Sequence, residues 1–146
     1  MLRLRAMGHE RTRYSAGRDN CPAALALCAA AALAAVAWRA WRHSDRVEVS
    51  GLSMAPELQP GDRLVIWRTR AVRAGDIVAA PDPRHPERTV LKRAGAVGPD
   101  GVLLLGDNPG QSTDSRHFGR VPVASVRGKA VYRYAPASRA GRLRRT

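Results

Sequence analysis

A stretch without any charged side chain, residues 21–38, constrains this 146-residue chain more than any other feature of its sequence. An α-helix of that length extends about 27 Å, close to the thickness of the hydrocarbon core of a bilayer. Asn20 is a favourable helix N-cap, and Pro22 suits the first helical turn. The sequence therefore predicts one alanine-rich hydrophobic helix over residues 21–41, ahead of a globular part of roughly a hundred residues.

Three interpretations of this helix are open: a retained membrane anchor, a cleaved signal peptide and a soluble alanine-rich helix. Trp38 and Trp41, followed by Arg42, are typical of the interface end of a membrane-spanning helix. We expect a retained single-pass anchor in the cell membrane, because no small-x-small cleavage site precedes a polar start. The arginines ahead of the helix favour an extracytoplasmic globular part. A helix that does not insert would leave the protein in the cytoplasm.

The formal net charge of +13, from 25 Lys and Arg against 12 Asp and Glu, predicts an anionic partner. No DNA-reading helix-turn-helix is visible, so we expect membrane lipid and no nucleic acid. Residues 1–20 are arginine-rich without apolar periodicity and are predicted to be a disordered basic arm. Residues 135–146 are predicted to be a frayed basic tail.

From Val47 onward, short runs of apolar and β-branched residues alternate with turn residues such as Pro60-Gly61 and Pro99-Asp100-Gly101. The predicted fold class is mostly β, a small folded-over antiparallel domain or partly open barrel over residues 46–134. Both cysteines lie in the hydrophobic stretch, so the globular part has no disulfide framework or CxxC metal site. The expected strands are 46–49, 62–67, 76–79, 89–97, 102–105 and 126–134.

Three segments carry chemistry: VSGLSMAPELQPGDRLVI at 49–66, VLKRAGAV at 90–97 and LLLGDNPGQSTDSRHFG at 104–119. The first two are modest signals alone, but the third is rare by chance. In this order, the set resembles the type I signal peptidase family of serine proteases, over about residues 47–134. The resemblance implies a mostly β peptidase domain that removes an N-terminal leader from a precursor protein, without a metal or cofactor.

The resemblance assigns the nucleophile to Ser53 and the general base to Lys92. A serine hydroxyl is a poor nucleophile until a base removes its proton. An ordinary lysine, with a pKa near 10.4, is protonated at neutral pH, but burial in apolar surroundings lowers that pKa. Lys92 follows Thr89, Val90 and Leu91 in a predicted β-strand, where a lone lysine would ordinarily be solvated. The two flanking motifs of the family favour a buried side chain instead, and we expect the activity to rise toward alkaline pH.

Other site residues follow from the same resemblance. The Ser53 amide, with Gly51 two positions earlier, is expected to form a backbone oxyanion hole. A serine of the third segment is expected to hydrogen-bond the lysine amine. A nearby Asp–Arg pair is expected to be structural, and a methionine to form an apolar floor beneath the dyad. These supporting residues are Ser112, Asp114, Arg116 and Met54.

The chain is shorter than larger signal peptidases, since only a turn separates Lys92 from the third segment and no second β-domain fits there. The phrase GDNPGQSTDSRHFGRVP, residues 106–122, looks like the actinobacterial maturation proteases for nickel-type superoxide dismutase. We therefore expect the substrate to be the leader of such a dismutase precursor. A general type I signal peptidase for secreted preproteins is the alternative.

More distant alternatives are a self-cleaving repressor-type Ser-Lys protease, with Ala16-Gly17 as a conceivable bond, a non-catalytic basic membrane-surface binder, and an inactive paralogue. His117, three residues after Asp114, also leaves a Ser-His-Asp triad open.

Overall fold

The computed structural model describes residues 22–145. The predicted basic arm over residues 1–20, the proposed N-cap Asn20 and Cys21 lie outside the described residues. The helix α1 spans Pro22–Arg42, and its alanines and leucines have high helix propensity. The described helical residues up to Val36 belong to one compact unit, and residues 37–145 form a second.

From Leu25 onward the helix α1 is exposed, except at the half-buried Ala40. Its window Leu25–Arg42 has a mean hydropathy of 1.3 and no buried residue, so its length and composition suffice to cross a membrane. Leu25, Leu27 and Leu33 are among the exposed large side chains. An exposed apolar stretch of this kind, in water, would be costly.

In the described part of the chain, seven antiparallel strands form one sheet, in the order β1-β2-β6-β3-β4-β5, with the short β7 paired to β6. The predicted mostly β fold class is confirmed, and each of the six expected strands overlaps an observed one. The strands are β1 Ser44–Glu48, β2 Arg63–Trp67, β3 Ile77–Asp82, β4 His85–Gly98, β5 Gly101–Leu105, β6 Gly128–Ala135 and β7 Gly141–Arg142. Short helices lie between or after them: Pro109–Gln111, α2 at Ser115–Phe118, Val123–Ser125 and Ala137–Arg139.

The central strand β3 is buried on both faces and separates two hydrophobic clusters. Ile77 and Ala79 point into the first cluster, whereas Val78 and Ala80 point into the second, as the two-residue period of a strand requires. The first cluster also contains Val49, Met54, Leu58, Leu64, Ile66, Leu91 and Ala130. The second contains Val72, Ala94, Val102, Leu104, Val121 and Val126.

Within the predicted frayed tail over residues 135–146, the described residues 135–145 are attached to the domain. The strand β7 pairs with β6, and Leu143 packs against the first cluster. Arg139 Nη1 donates to Asp62 Oδ1 at 3.0 Å. The segment is attached because its arginines find acidic and carbonyl partners that lie far away in sequence, which its basic composition alone does not reveal.

Candidate active site

Ser53 lies on a turn between β1 and β2 that is fixed at both ends. The Val49 amide donates to the Asp62 carbonyl at 2.8 Å, and the Gly61 amide donates to the Val49 carbonyl at 2.8 Å. Met54, the residue after Ser53, is fully buried in the first cluster. Because the Met54 side chain packs into the core beneath the turn, the neighbouring Ser53 stays half-buried at the surface.

The backbone of Ser53 is held on one side only. Its carbonyl oxygen accepts a hydrogen bond from the Asn108 amide at 3.0 Å. Within residues 22–145, its own amide N–H and its hydroxyl have no hydrogen-bond partner. Gly51 is exposed, and no atom lies within 4 Å of the place where its Cβ would be. An unengaged amide beside a serine hydroxyl can bind the oxygen of a carbonyl group.

Lys92 lies on β4, directly opposite Val78 of β3, and only 3% of it is exposed. Strand alternation places its side chain on the face that carries Val78 and Ala94, both members of the second cluster. Its Nζ donates to Ser112 Oγ at 2.9 Å. Burial lowers the pKa of Lys92; the carboxylate of Asp114 opposes this effect.

Asp114 is completely buried and accepts the last hydrogen bond of the chain Lys92–Ser112–Asp114. Its Oδ2 accepts from Ser112 Oγ at 2.9 Å and from the Gly106 amide at 2.8 Å. Arg116 Nε donates to Oδ1 at 2.9 Å. The bonds from Arg116 and, secondarily, from Gly106 and Ser112 hold the pKa of Asp114 far below its usual range. A carboxylate therefore orients the Ser112 hydroxyl, and a free lone pair of that hydroxyl faces Lys92.

Gly106 lies where the Ser53 turn and the third segment meet. A Cβ at this position would lie 2.7 Å from the Ser53 carbonyl oxygen and still closer to the Ser112 hydroxyl. Because real side chains do not tolerate such distances, only glycine allows the two segments to approach this closely.

Ser53 and Lys92 are thus each hydrogen-bonded to the same segment, residues 106–114. Asn108 holds the Ser53 carbonyl, and Ser112 holds the Lys92 amine. Within residues 22–145, the hydrogen bond of Lys92 goes to Ser112 and no direct bond to the Ser53 hydroxyl is formed.

Arg93, which the sequence predictions did not include, fixes the start of this segment. Its guanidinium donates to both carboxylate oxygens of Asp107, at 2.7 and 2.5 Å, and to the Gly75 carbonyl at 2.9 Å. The sequence signal for this role was the adjacent Lys-Arg pair in a predicted strand. Successive strand residues point to opposite faces of the sheet, so Lys92 and Arg93 contact different partners.

His117 acts as a helix cap. Its Nδ1 accepts from the Asp114 amide at 3.4 Å, while the Asp114 side chain accepts from the Arg116 amide, so the two residues form a capping box for α2. The ring is exposed and, in the described chain, has no hydrogen bond to Ser53. Across residues 22–145, no group of three His, Cys, Asp or Glu side chains is arranged to hold a metal ion.

A cleft of about 160 Å³ adjoins Ser53. One wall is residues 47–51 with Ser53 and Met54, and the other is residues 89–91 of β4. Among the described strands, β1 pairs only with β2, and residues 89–91 pair only with β3, since β5 begins to pair at Arg93. Residues 47–48 of β1 and residues 89–91 of β4 therefore each have one edge that no described strand covers.

The fold is that of a small, mostly β domain. The profile described as "Signal peptidase, peptidase S26" matches residues 22–104 and 94–135. The chain is 35% identical to mitochondrial ATP-independent inner membrane protease subunit 1a of Arabidopsis thaliana, over 66% of this chain and 73% of the relative. It is 30% identical to mitochondrial inner membrane protease subunit 1 of Mus musculus, over 67% and 74%.

The chain belongs to the signal peptidase, peptidase S26, family. The predicted family resemblance is confirmed.

Proposed function

We propose that this chain is a serine endopeptidase in which Ser53 is the nucleophile and Lys92 the general base, and that it removes an N-terminal leader from a precursor protein. The observation that carries the proposal is the burial of Lys92, whose amine is held at 2.9 Å by Ser112 Oγ. In this buried position the charged ammonium form of lysine is not stabilised by hydration, so burial lowers the pKa of Lys92. A neutral amine can accept the proton of Ser53.

The proposed reaction begins when the Lys92 amine turns from Ser112 to the Ser53 hydroxyl. Ser53 Oγ attacks the carbonyl carbon of the scissile bond and transfers its proton to Lys92 Nζ. The Ser53 amide donates to the oxygen that becomes negative. When the tetrahedral intermediate collapses, the Lys92 ammonium protonates the leaving amine. Neutral Lys92 then removes a proton from water, which attacks the acyl-serine ester. As this second intermediate collapses, Lys92 returns the proton to Ser53 Oγ and the leader is released as a carboxylic acid.

Ser112 and Asp114 would keep the amine in reach. Ser112 uses its proton for Asp114, so it can only accept from Lys92. This arrangement also suits the neutral amine, which still has protons to donate. Asp114 and Arg116 are proposed to be positioning residues, and Met54 the apolar support of the turn.

We propose that the substrate binds in the cleft as an added strand. The free strand edges at residues 47–48 and 89–91 can pair with an extended peptide through its backbone, as in other β-augmented complexes. Side chains near Ser53 would point alternately into the cleft and away from it, so small residues fit a volume of about 160 Å³.

The helix α1 is proposed to be a single-pass anchor that precedes a peptidase domain over residues 46–134, with the peptidase domain outside the cytoplasm. The proposed client is the leader of a nickel-type superoxide dismutase precursor, because residues 106–122 look like the proteases that mature it. The geometry and burial of the site would serve either this client or secreted preproteins in general.

The test is cleavage by the full chain in detergent of two synthetic peptides, one with a dismutase leader junction and one with an Ala-x-Ala junction. We expect Ser53→Ala and Lys92→Met to lower kcat/KM by at least about 10³-fold. Ser138→Ala and Lys129→Met are matched controls: Ser138 is an exposed serine that does not line the cleft, and Lys129 is the only other lysine in the sequence. Both controls should keep activity near wild type.

Cleavage by Lys92→Met at the wild-type rate would refute the lysine base. Faster cleavage of the Ala-x-Ala peptide than of the dismutase peptide would refute the dedicated client and leave the peptidase proposal intact. A mass spectrum of the products identifies the bond that is broken in each case.

A further inference from the structure

Two adjoining cavities lie around the pair Arg68–Asp45, and neither shares a lining residue with the Ser53 cleft. The larger, of about 640 Å³, is lined by Arg68, Thr69, Arg70 and Arg127, together with Asp45 and residues 124–126. The smaller, of about 380 Å³, is lined by Trp41, Arg42, Ser44, Asp45, Arg46 and Arg68. The shared residues Asp45 and Arg68 make them two sides of one basic surface.

The charge of this surface is unbalanced. Asp45 is its only acidic lining residue, against five arginines. Arg68 already holds Asp45 through two hydrogen bonds, at 2.8 and 2.6 Å. Arg127 acts on the same carboxylate, since its charge contributes to the lowered pKa of Asp45 after that of Arg68. Within residues 22–145, the Arg70 guanidinium has no ion-pair or hydrogen-bond partner, so it is available to a ligand.

The surface adjoins the end of the apolar helix. The Arg68 amide donates to the His43 carbonyl at 2.8 Å, which ties the end of β2 to the residue that follows α1. Trp38 and Trp41 are more than half exposed, and their rings lie 5.5 Å apart. Exposed tryptophans at the end of an apolar helix mark the depth of a membrane interface. Phosphate groups of lipids lie at the same depth.

We propose that this basic surface binds the phosphate group of an anionic phospholipid beside the end of α1, an inference that rests on the proposed membrane anchoring. Guanidinium groups bind phosphate oxygens through paired hydrogen bonds. The Thr69 hydroxyl accepts from the Ala71 amide at 3.0 Å, and its proton remains free to donate to a phosphate oxygen. A zwitterionic headgroup brings its own ammonium group, which the surplus arginines disfavour, so the site should select net negative lipid.

The experiment measures lipids retained on the full chain by native mass spectrometry after detergent micelles are supplied with phosphatidylglycerol or phosphatidylcholine of the same acyl chains. We expect wild type to retain phosphatidylglycerol about tenfold better, since several arginines contribute. The double variant Arg68→Gln/Arg70→Gln should lose most of that preference. Arg142→Gln/Arg144→Gln, which removes the same charge from exposed positions in the C-terminal segment, should keep it.

Three results would overturn the site. Equal loss in both double variants would show an effect of net charge alone, and equal retention of both lipids by wild type would show no selection. Displacement of the lipid by glycerol phosphate at equal concentration would show that a soluble phosphate ester is the ligand. Persistence in excess glycerol phosphate supports the lipid.

Cleavage of the soluble peptides in detergent is measured on the same samples. Because Arg68 and Arg70 lie outside the lining of the Ser53 cleft, the lipid variants should cleave as wild type does. Lipid selection without any cleavage would keep the site and refute the protease. Cleavage without lipid selection would refute the lipid site and leave the protease proposal intact.

Discussion

Lys92 and Ser112, twenty residues apart in sequence, are joined by a 2.9 Å hydrogen bond from the buried amine to a hydroxyl that is itself fixed by Asp114. The amine therefore has a defined resting position close to the turn that carries Ser53. The hydroxyl contributes an acceptor without contributing a charge. This distinction matters, because a carboxylate in direct contact would hold the amine as an ammonium.

Removal of the hydroxyl tests this positioning role. We expect Ser112→Ala to lower kcat by roughly 10–100-fold, since Lys92 loses its only described partner and searches more rotamers. KM should change little, because Ser112 does not line the cleft. The measurement is steady-state cleavage of the better peptide, with thermal unfolding of the same samples.

The matched control is Ser115→Ala. Ser115 is also buried, and its hydroxyl accepts from the Leu104 amide at 2.8 Å, but no described hydrogen bond joins it to Lys92. It should lower stability by about 1–3 kcal/mol and spare kcat of the folded enzyme. Equal losses of kcat in both variants would mean that Ser112 acts only through the fold.

Arg116 is expected to set the pH at which the enzyme works. Its charge lowers the pKa of Lys92, whereas that of Asp114 raises it. In Arg116→Ala, the Asp114 charge is less compensated, so the pKa of Lys92 rises. Because neutral Lys92 is the active form, the rise of kcat/KM with pH should move to higher pH. A profile of kcat/KM from pH 6 to 10 measures the shift.

Arg116→Lys serves as the control for this experiment, because it keeps the charge but loses the forked hydrogen bonds to Asp114. Its pH profile should lie near that of wild type even if its stability falls. A shift to lower pH in Arg116→Ala would contradict the assigned sign.

Much of the fold follows from the sequence because strand boundaries are local signals. The turn Pro99-Asp100-Gly101 joins β4 and β5 as predicted, with Gly101 at a φ of 113°. The burial of Lys92 was expected from the family resemblance, since the strand around it would also suit a solvated lysine. What could not be read locally were pairings between distant residues: Arg93 with Asp107, and Arg139 with Asp62. The local sequence of a basic segment is the same whether its arginines are solvated or paired with distant residues.

Gly106 is expected to tolerate no side chain. In Gly106→Ala, the new methyl group would meet the Ser53 carbonyl oxygen at 2.7 Å and the Ser112 hydroxyl, so the Ser53 turn has to move. We expect a loss of about 1–3 kcal/mol in unfolding free energy and of at least about 100-fold in kcat/KM. Gly98→Ala, where no atom lies within 4 Å of the added carbon, is the control. Wild-type activity in Gly106→Ala would show that the meeting of these two segments does not matter for catalysis.

Arg133 of β6 and Arg139 of the C-terminal segment hold the turn that carries Ser53. Asp62, only 1% exposed, accepts from Arg133 at 3.2 Å and from Arg139 at 3.0 Å. The same two guanidinium groups donate to the Glu57 carbonyl, at 2.8 and 3.1 Å. They therefore bridge two points of the turn that carries Ser53.

We expect Arg139→Ala to lower kcat by roughly 10-fold, because the Ser53 turn loses one of its two bridges and its nucleophile samples more positions. Arg139→Lys should recover part of the loss, since an ammonium can still pair with Asp62. Arg142→Ala, an exposed arginine on β7, should keep the wild-type rate and so control for a general disturbance of the segment. Cleavage kinetics and thermal unfolding are measured together. If Arg139→Ala unfolds at a lower temperature but cleaves at the wild-type rate below it, the bridge stabilises the domain without positioning Ser53.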